Sequence, residues 1–176
     1  MQVRFLLGAY FNLPARQAML KIQQYYMQEA LKEARKAFEE DEVPVGAVIV
    51  HDKQIIARGR NQIERLKDPT AHAEMIAITS ATHYLGIKWL KDAILYVTIE
   101  PCSMCAGALV LARINKIYFG ASDPKTGACG SVIDIVNHKK LNHRIIVTGG
   151  LLKEECAKLL QDFFQKKRKK TCEERN

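Results

Sequence analysis

The stretch that decides the fold is "AILYVTIEPCSMCAGALVLARINKIYFGA", residues 93–121. Residues 93–99 form an apolar run of the length and composition expected for a buried strand. Pro101 fits the first turn of a helix, where its missing N–H costs nothing, and this helix is predicted to run to about Ala112. Residues 116–121 then predict another strand. A strand, a helix and a strand in succession indicate an α/β protein.

The same alternation continues on both sides of this stretch. Apolar side chains recur at helical spacing along residues 23–40, and two short apolar runs around the turn "HDKQ" suggest a hairpin. The other predicted elements are strands at residues 45–50, 55–61 and 144–149, helices at residues 72–83 and from Leu152 onward, and a short helix at residues 132–136. The pattern predicts an α/β sandwich, with helices around one sheet.

The composition is that of a globular protein with a single domain. The chain has 176 residues, of which 48% are apolar. No apolar run approaches the length that spans a bilayer, so no membrane association is expected. The formal net charge is +8, which indicates a polyanionic partner, most often nucleic acid, although many soluble proteins are basic without one.

The cysteine count and the two chain ends indicate the cellular compartment and the bounds of the domain. An odd number of cysteines, five, without an obvious secretory signal predicts reduced thiols and a cytoplasmic protein. Residues 1–21 are interpreted as an amino-terminal extension of unknown role, and residues 22–165 as one folded domain. Residues 166–176, "KKRKKTCEERN", form a basic tail that is expected to be frayed.

Cys102 and Cys105 form a Cys-x-x-Cys pair at a predicted helix start. There both sulfurs face the same way, and the helix dipole favours thiolates. His72 adds a nitrogen, and two sulfurs with one nitrogen suit tetrahedral zinc. Three protein ligands leave one position open for water, whose pKa zinc lowers towards neutrality.

Two other uses of these residues stay open. The cysteine pair can serve redox chemistry, which would come with a thioredoxin-like pattern and no partner histidine. A structural zinc would need a fourth protein ligand, for which the sequence offers Cys129, His138 and His143, none of them paired at ligand spacing.

Glu74 lies two residues beyond His72, near the predicted start of a helix. Residues two apart on a helix point in different directions, so His72 and Glu74 are not expected to bind one ion together. Glu74 can instead reach the water, take its proton and pass it to a substrate nitrogen. The alternative is that its carboxylate only compensates the helix dipole. The residues therefore predict His72, Cys102 and Cys105 as zinc ligands and Glu74 as the catalytic residue.

The His-x-Glu and Pro-Cys-x-x-Cys motifs together resemble the signature of the zinc-dependent nucleobase deaminases. Longer segments are similar to the bacterial tRNA-specific adenosine deaminases, namely "DPTAHAEM" (68–75), "EPCSMCAGALVLARI" (100–114), "FGASDPKTGACGS" (119–131) and "LNHR" (141–144). The resemblance covers roughly residues 22–170 without a large gap and implies that the domain of residues 22–165 is a deaminase domain. Cys129 departs from it, because a small residue such as alanine is expected there.

The resemblance implies a cytidine deaminase-like fold, a single α/β domain with a mixed five-stranded sheet sandwiched between helices. It implies hydrolytic deamination of adenosine to inosine at the wobble position of a tRNA anticodon, with one Zn²⁺ per subunit. It also implies a homodimer that binds the anticodon stem-loop near the subunit interface. The substrate-binding residues that it implies are Asn61, Asp123, Asn142, His143 and Phe164.

Plainer interpretations and two other functions stay open. Asn61 can be a turn residue at a strand end, Asp123 can start a turn and His143 can lie on the surface. A deaminase of free guanine, cytosine or nucleosides would carry the same catalytic motif, but the basic tail and residues 123–131 favour RNA. A non-catalytic, zinc-stabilised RNA-binding module is an alternative of a different class. Glu74 argues against it, because a binding protein needs no proton carrier.

Overall fold

A mixed sheet lies at the centre of the computed structural model, which describes residues 14–173. Its strands are β1 (Gly46–His51), β2 (Gln54–Arg60), β3 (Ile94–Ile99), β4 (Lys116–Ala121) and β5 (Ile146–Thr148). They lie in the order β2-β1-β3-β4-β5. β1 is antiparallel to both of its neighbours, whereas β3, β4 and β5 run parallel. The prediction of a mixed five-stranded sheet is therefore confirmed for the described residues.

Helices cover both faces of this sheet. They are α1 (Ala15–Glu39), α2 (Ile63–Leu66), α3 (Ala73–Leu85), α4 (Ser103–Leu111) and α5 (Lys153–Glu173). Met27 of α1 and Cys156 of α5 share a buried core with Tyr96 of the sheet. Leu109 of α4 and the alanines of α3 share the other core with Val97. The predicted sandwich is thus confirmed, because neighbouring residues of β3 point to opposite cores.

The first described helix begins earlier than its apolar spacing suggested. α1 starts at Ala15 and not at residue 23, so residues 15–21 of the predicted extension belong to this helix. Residues 1–13 of that extension lie outside the described residues. The domain boundaries at residues 22 and 165 stay predictions.

The last helix continues further than expected. α5 reaches Glu173, so the expectation of a frayed tail is wrong for residues 166–173. An ion pair of 2.6 Å between Lys167 and Asp41 joins this end of α5 to the residues that follow α1. Lys166 also lies over the ring of Phe38, 5.3 Å from its centroid.

The predicted short helix at residues 132–136 is wrong. This segment forms bends and turns. Its backbone groups are used across the loop: Ile135 donates to the carbonyl of Ala128, and the carbonyl of Val136 accepts from Ile145. These bonds replace the i→i−4 bonds that a helix would need.

The starts of α3 and α4 meet at one end of the sheet. β3 leads directly into the segment before α4, so α4 begins beyond the carboxyl end of β3. α3 lies close against β2, because Gly59 has no side chain. A Cβ at Gly59 would lie 2.1 Å from the carbonyl oxygen of Ala73. In the described part of the chain, no helix is long and apolar enough to cross a membrane.

Candidate catalytic metal centre

Three potential ligands converge where α3 and α4 begin. His72 Nδ1 lies 3.7 Å from Cys102 Sγ and 3.5 Å from Cys105 Sγ. Around a tetrahedral zinc with bonds of about 2.3 Å to sulfur and about 2.0 Å to nitrogen, a sulfur ligand and a nitrogen ligand are about 3.5 Å apart. The spacing and chemistry of this His/Cys/Cys group therefore fit a metal ion such as zinc.

Two of these side chains come from the residues that cap the helices. His72 caps α3 and Cys102 caps α4, and both have an extended backbone. Neither side chain hydrogen-bonds to its own helix, so each is directed into the centre. The side-chain oxygen of Asn61 accepts from the N–H of Ala73 instead, at 3.0 Å. Asn61 thus holds the start of α3, where a cap would otherwise be missing.

The two thiols have very different acidities. The Cys105 thiol and His72 lower the pKa of Cys102 to about 4. The interaction with Cys102 and burial raise the pKa of Cys105. The hydrogen bond to Cys102 in turn raises the pKa of His72. The group therefore already favours one thiolate, which is the form that binds metals.

Glu74 lies in the first turn of α3 and is 2% exposed. Burial raises the pKa of its carboxyl to about 6. A carboxyl with such a pKa exchanges a proton more readily near neutral pH than an ordinary glutamate does. Its position beside the His/Cys/Cys group suits a proton carrier better than a residue that only compensates a helix dipole.

A fourth protein ligand is not found among residues 14–173. The group with ligand geometry there consists of His72, Cys102 and Cys105, and neither Cys129 nor His138 joins it. His143 is turned elsewhere, with its Nε2 atom 2.7 Å from the carbonyl oxygen of Ile114. An arrangement of three ligands suits a catalytic metal site better than a closed structural one.

Glu100, which the sequence analysis did not single out, holds the loop beside the metal centre. It is 2% exposed, and its carboxylate accepts from the N–H groups of Asp123 (3.1 Å), Cys129 (3.0 Å) and Ser131 (3.0 Å). The Ser131 hydroxyl also donates to it. Burial opposes ionisation, but these hydrogen bonds outweigh it and hold the pKa of Glu100 below its ordinary value. The signal that the sequence offered for this role was an acidic residue placed directly after an apolar strand.

Asp123, a predicted substrate contact, lies in this loop. Its carboxylate accepts from the N–H groups of Lys125 (2.8 Å) and Thr126 (3.3 Å) and from the Thr126 hydroxyl (2.5 Å). Asp123 therefore starts a turn, as its plainer interpretation held. Cys129 belongs to the same loop, where burial raises its pKa to about 12.

The other predicted substrate residues lie further out. Phe164 is 46% exposed and lines a groove of about 700 Å³ with Lys125 and Arg168. Asn142 is exposed, and its neighbour His143 contacts the segment before β4. That segment is at the amino end of β4, whereas the metal centre follows the carboxyl end of β3. The structure therefore brings Asn61 to the metal centre, but not Asn142 and His143.

The fold and the site together define a deaminase of the cytidine deaminase-like class. The model of the MafB19-like deaminase family matches residues 22–168. The tRNA-specific adenosine deaminase of Bacillus subtilis (strain 168) is 50% identical over 145 residues, which are 82% of this chain and 90% of that protein. The tRNA-specific adenosine deaminase of Aquifex aeolicus (strain VF5) is also 50% identical over 145 residues, 82% of this chain and 95% of that protein. The chain belongs to this deaminase family and is a relative of its tRNA-specific adenosine deaminases.

A solved structure agrees with this membership. It comes from a study of A-to-I editing by tRNA:A34 deaminases at the wobble position of transfer RNA. It superimposes with a TM-score of 0.75 and 47% sequence identity, and covers 77% of this chain and 99% of its own. The chain therefore has the fold of an enzyme that removes an amino group from a base by hydrolysis.

Proposed function

We propose that this chain is a zinc-dependent enzyme that converts adenosine to inosine at the wobble position of a tRNA anticodon. The observation that carries the proposal is a buried carboxyl, Glu74, beside the His/Cys/Cys group. It occurs in a chain that is 50% identical, over 145 residues, to tRNA-specific adenosine deaminases. His72, Cys102 and Cys105 would hold the zinc, and the bound metal would supply Lewis-acid activation of a water molecule.

Glu74 moves the protons in this reaction. Its carboxylate takes a proton from the attacking water and gives it to the adjacent ring nitrogen of adenine, while the water oxygen adds to C6. Glu74 then takes the remaining proton of the added oxygen and gives it to the amino group, which leaves as ammonia. The products are inosine and ammonia. The raised pKa of Glu74 suits a group that must both accept and release a proton.

The base must leave its stack to reach this buried centre, and a single-stranded loop makes this easiest. Asn61, a predicted base or sugar contact, lies beside this centre, because its side chain is hydrogen-bonded to Ala73, the residue between His72 and Glu74. The groove lined by Lys125, Phe164 and Arg168 combines cations with an exposed aromatic ring. Such a surface suits phosphates and unstacked bases.

The predicted homodimer is part of this proposal. Asn142 and His143 lie at the end of β4 away from the metal centre of their own chain. A contact from them to the extruded base would therefore have to come from a second subunit. A cytoplasmic location agrees with a tRNA substrate and with the free cysteines of the described residues.

The test is a direct comparison of substrates with the purified protein. We expect inosine to form in an anticodon stem-loop with adenosine at the wobble position, and little product from free adenosine or guanine at the same concentration. Equal or better turnover of a free base would favour a deaminase of small molecules. No turnover of any substrate, with one zinc bound per chain, would favour a binding module. A monomer in light scattering with full activity would contradict the dimer.

A further inference from the structure

The loop of residues 123–131, named here the substrate loop, is attached to the segment that carries a metal ligand. The carboxylate of Glu100 accepts from the backbone at Asp123, Cys129 and Ser131, which are spread along this loop. Glu100 stands two residues before Cys102. A single side chain therefore connects both halves of the loop to the ligand segment.

Gly127 allows the loop to lie this close. A Cβ at position 127 would lie 2.6 Å from the carboxyl carbon of Glu100 and 2.5 Å from the carbonyl oxygen of Asp123. Both distances are shorter than contacts between non-bonded atoms allow, so any side chain here would displace the loop. The loop and the carboxylate are thus fitted to one another.

The backbone adds two contacts between the same segments. Ala128 donates to the carbonyl of Pro101 at 2.8 Å, and Gly127 pairs with Cys102 as an isolated β-bridge. These contacts do not replace the carboxylate, because they involve only the middle of the loop. The N–H groups at both ends of the loop, at Asp123 and Ser131, depend on Glu100.

The substrate loop forms part of the surface assigned above to RNA. Lys125 lines the groove together with Phe164 and Arg168 of α5. The position of Lys125 follows from the turn that Asp123 starts, and the N–H of Asp123 is held by Glu100. The position of Lys125 relative to the metal centre is therefore held in part by one buried carboxylate.

We propose that Glu100 is a positioning residue for RNA, which keeps the substrate loop in register with the metal centre. The proposal rests on the proposed function. A carboxylate can accept at every site that the loop donors face, and its two oxygens are used by three N–H groups and one hydroxyl. A glutamine in its place would direct an NH₂ group at some of these donors and leave them unpaired.

The test measures steady-state kinetics of Glu100→Gln on the anticodon stem-loop. We expect KM to rise by about tenfold or more and kcat to change by about threefold at most, since loop position affects RNA binding more than proton transfer. Zinc per chain, measured by elemental analysis, should equal that of the parent. Hydrogen exchange at the amides of Cys129 and Ser131 should accelerate, while the amides of Glu64 and Arg65, which bond to the separate buried carboxylate of Glu42, should not change.

The matched control is Glu33→Gln, which alters a carboxyl that is 3% exposed and lies on α1, on the other face of the sheet. It should leave KM at the parental value. Ser131→Ala removes only the hydroxyl donor and should raise KM in the same direction by a smaller factor. If Glu100→Gln does not fold, Ser131→Ala decides the question.

Three results would overturn the proposal: an unchanged KM in a folded Glu100→Gln, a loss of zinc from that variant, or equal KM changes in Glu100→Gln and Glu33→Gln. An unchanged KM in Ser131→Ala would do so where Glu100→Gln does not fold. A parent protein that forms no inosine would instead overturn the proposed function. In that case the exchange rates of Cys129 and Ser131 still show whether Glu100 holds the loop.

Discussion

Glu74 and Glu100 are both 2% exposed and both lie next to a metal-ligand segment, yet their pKa values move in opposite directions. Burial raises the pKa of Glu74 to about 6. Burial also opposes ionisation of Glu100, but the hydrogen bonds from Ser131, Asp123 and Cys129 lower its pKa. The surrounding donors, and not burial alone, decide whether a buried carboxyl can exchange protons or stays a fixed anion.

This difference matches the two roles proposed for these carboxyls. A proton carrier must be stable in both protonation states, so it cannot be surrounded by N–H donors. A residue that holds a loop must remain an acceptor, so its donors are an advantage. The largest expected effect is therefore on catalysis, followed by effects on metal content and then on stability.

Glu74→Gln should reduce turnover of the stem-loop by about 10²–10⁴-fold, because glutamine cannot carry the proton. Zinc content and the cooperative unfolding transition should persist, because no ligand is removed. The measurement is single-turnover inosine formation at saturating RNA. Glu33→Gln is the control and should turn over normally. Near-parental turnover of Glu74→Gln would remove the functional contrast between Glu74 and Glu100.

Cys102→Ala and Cys105→Ala should each lose most of the zinc, measured by elemental analysis after dialysis, because each removes one of three protein ligands. Cys156→Ala is the matched control. Cys156 is buried in the core between α1, α5 and the sheet, away from the ligand group, and its replacement should keep the metal. Equal zinc in all three variants would mean that Cys102 and Cys105 do not hold the metal.

In the metal-free protein, substitutions of Glu100 and Glu74 should have different effects on the free energy of unfolding. Glu100→Gln should lower the free energy of unfolding by about 1–3 kcal/mol, because it leaves buried donors unpaired. Glu74→Gln should leave it unchanged or raise it, because it removes a carboxyl whose charge is poorly solvated. Denaturant unfolding at neutral pH measures both. Similar losses in the two variants would contradict the difference in their surroundings.

The smallest effect concerns Glu29, a third buried carboxyl, which faces cations instead of backbone donors. Burial opposes its ionisation, but Lys32 and Arg58 outweigh this and lower its pKa from 4.5. A lowered folded-state pKa contributes stability above about pH 4.5, and this contribution is lost as the pH falls through the folded value. Because Arg58 is 40% and Lys32 61% exposed, the contribution should be about 1 kcal/mol or less.

Unfolding of the parent and Glu29→Gln, followed between neutral pH and about pH 3, measures this term. The difference between them should shrink on the acid side and in high salt, since exposed partners are screened. A difference that is independent of pH would mean that Glu29 contributes through packing and not through its charge.

Local patterns were sufficient for most of the fold and for the centre of the site. The apolar runs of β1, β3 and β4 identified buried strands, because a strand buried on both faces is apolar at nearly every position. His72, Cys102 and Cys105 were predicted as one ligand group from their residue types and spacing, and the structure places their ligand atoms within 4.8 Å of one another. Metal binding depends on a few residues of defined type and spacing, so a sequence motif is enough to predict it.

The segment that follows the substrate loop, residues 132–136, shows a structure that local sequence patterns could not predict. Residues 132–136 have an apolar composition that suggested a helix, but Ala128 and Ile145 provide their hydrogen-bond partners, and both are distant enough in sequence that no local pattern reports them. The same holds for α5, whose basic end is joined to Asp41 over more than a hundred residues. Such partners are known only once the chain has folded.

The sequence by itself determined the fold class, the three potential metal ligands and the residue proposed to carry protons, because these follow from periodicity and from residue chemistry. Only the tertiary structure decided that Glu100 is an anion which holds the substrate loop, that Asn61 replaces the cap of α3, and that Asn142 and His143 lie away from the centre. The physical reason is that a polar side chain acquires its role from the donors and acceptors it meets, and these come from elements that are distant in the sequence.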